Sequence, residues 1–208
     1  MSSLFNVPVS EVESSQIIKK SRFITHLLPV ADREQAFLQI EQLRQRYPDA
    51  RHHCWAFIAG APDDTQVLGF SDDGEPNGTA GKPILAQLQG SGLGYVLAVV
   101  VRYFGGIKLG TGGLVRAYGS SVAQALAIVQ KTPYIAKTIL SMQFGFDALG
   151  EVNQLFTRFN ASQQSIEYNE GVCVRVELPA QSAEQFMQAL TNACRGQIEF
   201  NVQLQDKG

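Results

Sequence analysis

The sequence has few cysteines, no secretory leader pattern and no long hydrophobic run. Its three cysteines are odd in number and far apart, so they predict neither a disulfide framework nor a cysteine zinc site. The segment Met1–Ser15 lacks a basic region followed by an apolar run, which excludes a secretory signal of the usual kind. No apolar run is long enough to cross a bilayer. We therefore expect a protein of the reducing cytoplasm that has no membrane partner.

The sequence also lacks a marked excess of either charge. Its 17 Lys and Arg residues and 19 Asp and Glu residues give a formal net charge of −2. This balance excludes a globally basic nucleic-acid binder but allows a local basic patch. Hydrophobic residues make up 45% and charged residues 17% of the 208 residues, which is ordinary for a globular chain of one large or two small domains.

Common catalytic motifs are absent as well. The sequence contains neither the Gly-x-Ser-x-Gly elbow of hydrolases nor the His-Glu-x-x-His motif of zinc proteases. His52, His53 and Cys54 are adjacent, and on a strand His52 and Cys54 would share one face. Two ligands do not close a zinc site. A packed strand edge is therefore favoured over a Cys–His nucleophilic pair, for which no third orienting group is identifiable.

Glycine is abundant, and its densest group lies between an apolar strand and a helix. The β-branched run Val96–Val101 predicts a strand covered on both faces, and Leu114–Val129 has helical periodicity. Five glycines lie within Gly105–Gly113. This order places free N–H groups at a helix start beside Lys108 and Arg116, where an anion can bind. The alternative is a tight strand-to-helix connection that binds nothing.

A long polar loop, Ser71–Pro83, precedes that strand and carries three carboxylates. Asp72, Asp73 and Glu75 could ligate a hard cation, but they do not have the spacing of an EF-hand. Asp-Gly and Glu-Pro are turn-forming pairs, so a solvated turn is favoured over a metal site. If the two loops meet, the carboxylates could instead pair with Arg102, Lys108 or Arg116.

The last third of the chain has its own order of elements. Alternating and helical hydrophobic patterns follow each other as β-α-β-β-α-β, the ferredoxin-like arrangement. About seventy residues suffice for such a small domain. Pro133 interrupts the preceding helical pattern, so the sequence predicts domains at 1–132 and 133–208.

Two segments, Ser71–Leu85 and Val99–Tyr118, have residue patterns that are more specific than their predicted secondary structure requires. Together they resemble the signature of the IMPACT family, and the whole chain is similar to its bacterial YigZ-type members. Lys20–Ile24 is also similar to the family pattern. The resemblance implies a two-domain α+β protein. Its first domain would be of the ribosomal-protein-S5 second-domain type, and its second would be ferredoxin-like.

The resemblance implies less about function. Eukaryotic relatives act in translational control, but they carry a different appended domain that this sequence lacks. For the bacterial members the family gives no settled activity. The fold is therefore a firmer expectation than the function.

We expect a cytoplasmic binding protein that contacts RNA or ribosome-associated partners, without a cofactor, a metal or a sequence-specific DNA motif. The expected phosphate contacts, by side chain or by backbone N–H, are Lys82, Arg102, Lys108, Gly110, Thr111, Gly112, Gly113 and Arg116. One alternative is an enzyme for a small phosphorylated or peptide substrate, with Asp72, Asp73 or Glu75 as metal ligand or general base. The other is a protein-interaction module that uses the ferredoxin-like sheet.

Overall fold

The chain divides into two units between Tyr134 and Ile135. A computed structural model describes residues 5–203. The predicted α+β class with two domains is confirmed. The boundary predicted after residue 132 lies just before this one, and the predicted end of the chain's last strand, residue 204, lies outside the described residues.

The first unit is built around a five-stranded antiparallel sheet. Its elements are β1 (Asn6–Pro8), β2 (Val12–Ile18), β3 (Ser21–Pro29), α1 (Arg33–Arg46), β4 (His52–Ile58), β5 (Leu68–Ser71), α2 (Gly81–Ser91), β6 (Val96–Tyr103), α3 (Thr111–Ile128) and β7 (Lys131–Pro133). The strand order is β2-β3-β6-β4-β5. The short strands β1 and β7 pair with each other outside this sheet.

Helices cover both faces of this sheet, because the central strand β6 is apolar on both sides. Every residue of Val96–Val101 is fully buried, as the sequence predicts. Val96, Ala98 and Val100 belong to the core beneath α2 and α3. The intervening residues belong to a second core beneath α1, which contributes Ile40. Side chains alternate across a strand, so one apolar run serves two cores.

The second unit contains β8 (Lys137–Phe144), α4 (Leu149–Arg158), β9 (Ser162–Tyr168), β10 (Val172–Pro179), α5 (Ala183–Ala193) and β11 (Ile198–Gln203). Its antiparallel strand order is β11-β8-β10-β9, which confirms the predicted ferredoxin-like topology. Alternating residues of β8 and β10, such as Leu140 and Val174, pack against Val152 of α4 and Phe186 of α5. The opposite face of the sheet carries polar residues.

Candidate nucleic-acid interface

Arg102, near the end of β6, lies inside the protein. Its side chain is 6% exposed and donates to Glu75 Oε1 at 2.5 Å and to Ser21 Oγ at 3.4 Å. The Glu75 carboxylate is 4% exposed and also accepts a hydrogen bond from Tyr118 at 2.7 Å. The acidic loop therefore meets the strand that leads into the glycine loop. Arg102 has no free face for an RNA phosphate, so we leave it out of the candidate interface.

Asp72 holds the start of α2. Its carboxylate accepts hydrogen bonds from the backbone N–H groups of Gly78, Ala80 and Gly81 at 2.8 to 2.9 Å. These donors would otherwise be unpaired at a helix N-terminus. Burial alone would raise the pKa of Asp72, but the three N–H donors and the nearby Lys82 outweigh it and lower the pKa. The carboxylate is a cap, and its oxygens are occupied.

Asp73 is tied to β4 and α1. Its carboxylate accepts from the backbone N–H of His53 at 2.6 Å and from Arg44 at 2.9 Å, while its carbonyl lies 2.8 Å from Nδ1 of His52. The carboxylates of Asp72, Asp73 and Glu75 therefore all have hydrogen-bond partners within the protein. Within residues 5–203, no group of three or more His, Cys, Asp or Glu side chains could hold a metal ion.

Cys54 shares a sheet face with His52, as the alternation predicts, but it is fully buried. Its thiol donates to the carbonyl of Asp72 at 2.9 Å and lies 3.3 Å from the Tyr118 hydroxyl. Burial raises the pKa of the Cys54 thiol far above its ordinary value. A thiol that stays protonated is a poor nucleophile, so Cys54 is part of the core.

The glycine loop lies at the surface. Lys108, Thr111 and Gly112 are exposed, and α3 begins at Thr111 with Gly110 as its N-cap residue at φ +73°. The N-cap glycine has no side chain to cap this helix, no acidic residue lies in its first turn, and none of the described side chains accepts a hydrogen bond from the N–H groups of residues 111–113. The first N–H groups of a helix have no intrahelical partner. The amides of Thr111, Gly112 and Gly113 are therefore available to an anion.

Gly105 docks the glycine loop against the turn between β2 and β3. A Cβ atom at this position would lie 1.9 Å from the carbonyl carbon of Lys20, and its N–H donates to Ser21 Oγ at 3.2 Å. A side chain could not fit here. The contact brings Lys19 and Lys20 beside the glycine loop, and the sequence reasoning did not assign either lysine to the site. A signal was present in the sequence, since Lys19 and Lys20 are adjacent cations between two runs of β-forming residues.

Four exposed cations surround the start of α3. A cleft of about 220 Å³ between the β2–β3 turn and α3 is lined by Lys19, Leu109, Gly113 and Arg116, among others. Lys20 and Lys108 flank it in sequence and are exposed. In the part of the chain that the structure describes, none of the four cations forms an ion pair. We call these four side chains and the amides of residues 111–113 the α3 surface.

Lys82 is not among the residues that line this cleft. It is exposed in the first turn of α2, where its aliphatic chain approaches Gly78. The same turn is occupied by the carboxylate of Asp72. Lys82 is therefore a solvent-exposed neighbour of a capped helix start, in contrast to Lys108 beside an uncapped one.

The open face of the ferredoxin-like sheet is polar. It forms a depression of about 370 Å³ that is lined by Ser141, Cys173, Arg175, Glu167 and Glu199, among others. Over the described side chains of this depression, the only aromatic residue is Phe200, which packs toward the helices. An interaction surface here would be hydrophilic. In residues 5–203, the structure contains no helix with the length and apolarity needed to span a membrane.

Known proteins share both domains. Residues 19–126 match the model of the Impact N-terminal domain, and residues 142–197 match a domain of unknown function, DUF1949. The chain is 48% identical over 197 residues to the IMPACT family member YigZ of Escherichia coli (strain K12), covering 93% of this chain and 95% of the relative. It is 44% identical to an IMPACT family member of Haemophilus influenzae, covering 94% of this chain and 95% of that protein.

More distant relatives and a solved structure agree with this. IMPACT family member YvyE of Bacillus subtilis (strain 168) is 35% identical, covering 90% of this chain and 86% of the relative. A hypothetical protein of known crystal structure has 44% sequence identity to this chain, and the two structures superpose with a TM-score of 0.78, covering 99% of this chain and all of that one. The chain belongs to the IMPACT family.

Proposed function

We propose that this protein binds RNA of the translation machinery through the α3 surface. The observation that carries the proposal is the exposed, uncapped start of α3 beside cations that have no ion-pair partner among the described residues. The α-helix dipole places about half a positive charge at its N-terminus, and the free N–H groups point toward a bound anion. Phosphate oxygens are the anions that such donors and cations bind along a nucleic acid.

Because the net charge of the protein is −2, any attraction to RNA depends on where these cations lie. A slightly acidic protein is not attracted to RNA as a whole, so a local cluster must supply the electrostatic attraction. Lys19, Lys20, Lys108 and Arg116 come from two separate segments, which Gly105 holds together. Membership in a family whose eukaryotic members act in translational control supports RNA or ribosome-associated partners as the ligand class.

The experiment is a salt titration of RNA binding by the full chain. We expect fluorescence anisotropy to show binding to a labelled RNA that weakens steeply between about 50 and 200 mM salt. Each phosphate contact contributes about 0.7 to the slope of log K against log salt for a single strand. The double variant Lys108→Glu/Arg116→Glu should therefore lower the slope by about 1.4 and weaken binding strongly.

A matched control separates the site from the overall charge. Lys131→Glu/Arg158→Glu changes the net charge by the same amount at two exposed positions that do not belong to the α3 surface. This control should bind RNA almost as the wild type does, and circular dichroism should show both double variants folded. If the wild type fails to bind at low salt, or if both double variants lose affinity equally, the proposal is wrong.

A further inference from the structure

We infer that Phe104 is a stacking platform for an unpaired nucleobase, so that the ligand of the α3 surface is single-stranded RNA. The inference rests on the proposed function and adds the class of RNA to it. Phe104 follows β6 directly and is 47% exposed, at the point where the chain enters the glycine loop. An exposed aromatic ring beside a cluster of cations is the combination that single-strand binding proteins use.

The ring of Phe104 is supported from within the protein. The guanidinium carbon of Arg102 lies 5.8 Å from the centroid of the Phe104 ring and 5.4 Å from that of the fully buried Phe23. Arg102 is itself fixed by its ion pair with Glu75. A cation–π contact of this kind stabilises the ring in one orientation. Arg102, predicted from the sequence to contact phosphate, thus acts as a positioning residue for Phe104.

The backbone around Phe104 is also fixed. Gly105 is wedged against the backbone of Lys20, where a Cβ atom would overlap, and its N–H is bound by Ser21. Phe104 therefore directly precedes the glycine whose backbone lies against that of Lys20, one cation of the α3 surface, and it lies four residues before Lys108, another. A base that stacks on Phe104 would have its own phosphates within reach of these lysines, and little conformational entropy would be lost on binding.

Stacking on this ring requires an unpaired base. In a duplex both faces of each base are covered by its neighbours, whereas single strands and loops can present a free face to an aromatic side chain. The open face of the ferredoxin-like sheet offers no comparable ring among its described side chains, because the lining Phe200 packs toward the helices. Elsewhere in the second unit, the exposed rings of Phe146 and Tyr168 stack on each other. Phe104, in the unit that carries the α3 surface, is therefore the ring on which we place the base.

The test compares Phe104→Leu with Phe37→Leu in the full chain. Phe37 is a matched control, since it is 41% exposed and packs from α1 on Trp55 of β4. The probes are a labelled oligouridine and a blunt RNA duplex of the same length. Removing one base–aromatic stack should weaken oligouridine binding about 5- to 150-fold. The salt slope should stay unchanged, because no phosphate contact is lost. Phe37→Leu should bind as the wild type does.

A spectroscopic arm detects the stack itself. In a Trp55→Phe background, the Phe104→Trp variant has its single indole at the platform, and oligouridine should quench its fluorescence while the duplex should not. If oligouridine binds but Phe104→Leu binds equally well, or the duplex competes equally, the stacking inference is wrong and the proposed function stands. If neither RNA binds the wild type at low salt, both are wrong.

Discussion

The ion pair between Glu75 and Arg102 holds the two signature segments together, and its removal should be costly. The two side chains are 4% and 6% exposed, and the same carboxylate also accepts from Tyr118. Glu75→Gln keeps the shape of the side chain but leaves the buried guanidinium without a counter-charge. Loss of one partner of a buried pair costs about 3–5 kcal/mol. Because the amide oxygen can still accept a hydrogen bond, we expect about 3 kcal/mol.

The measurement is guanidinium chloride unfolding followed by the fluorescence of Trp55. This is the only tryptophan in the sequence, and it lies in β4, so the signal reports on the first unit. Glu41→Gln is the control, because it removes one of the two carboxylate partners of Arg44 in an exposed pair and should cost under about 1 kcal/mol. Adding Arg102→Met to Glu75→Gln should recover about 2 kcal/mol relative to the sum of the single changes.

Two results of these unfolding measurements would contradict the expected cost of removing the ion pair. A cost below about 1 kcal/mol for Glu75→Gln would mean that water or another group already satisfies Arg102, contrary to its burial. Strict additivity of the two changes would mean that the side chains do not interact. Either result would also remove the support that Arg102 gives to the ring of Phe104.

Three further predictions concern single positions of the first unit. Gly105→Ala should lower the thermal midpoint by several degrees or more, because the new Cβ would lie 1.9 Å from a backbone atom of Lys20. As a control, Gly112→Ala places a Cβ with nothing within 4 Å and should change stability by about 1 kcal/mol or less. Equal midpoints for the two variants would contradict this prediction. Burial lowers the pKa of His53 below its ordinary value of 6.5, so the unfolded state binds more protons there, and stability should fall as the pH drops from about 6.5 through the folded-state pKa. His53→Gln should remove that part of the pH dependence in urea unfolding, and an unchanged profile would contradict it. Burial alone would raise the pKa of the Asp72 carboxyl, but the three N–H groups that bind it lower its pKa below 3.8. The carboxylate therefore contributes stability that is present above about pH 4 and is lost as the pH falls through the folded-state pKa. Asp72→Asn should cost about 1–2 kcal/mol at neutral pH and should flatten the acid limb of the unfolding profile.

The strands and helices that follow a clear hydrophobic period were predictable from the sequence. The residues of Val172–Pro179 alternate between buried and half-buried in the structure, as the strict alternation of the sequence requires. Val96–Val101 has no alternation, and it is buried on both sides. In contrast, β1 and β7 are three residues long and each contains a proline, so neither carries a periodic signal. Their pairing is decided by tertiary structure.

The geometry of the candidate site was predictable only where it depends on local sequence. The exposed start of α3 follows from glycines between a strand and a helix, which is local information. The role of Arg102 is not local, because its partner Glu75 is 27 residues earlier in the sequence and folds over it in a loop that contains no hydrophobic pattern. A charged residue at the end of an apolar strand looks exposed in the sequence. Burial becomes visible only once the acidic loop is placed.

The same two signature segments therefore contain two kinds of charge with opposite physical roles. Inside, Glu75 and Arg102 neutralise each other and fix the backbone on either side of the core. Outside, the cations of the α3 surface repel one another and have no partner among the described residues, which opposes folding. Local features that cost stability without a structural return are expected at functional sites. The rigid interior explains how the repelling cations can be held in place, and the RNA that we propose as the ligand would supply the negative charge that they lack among the described residues.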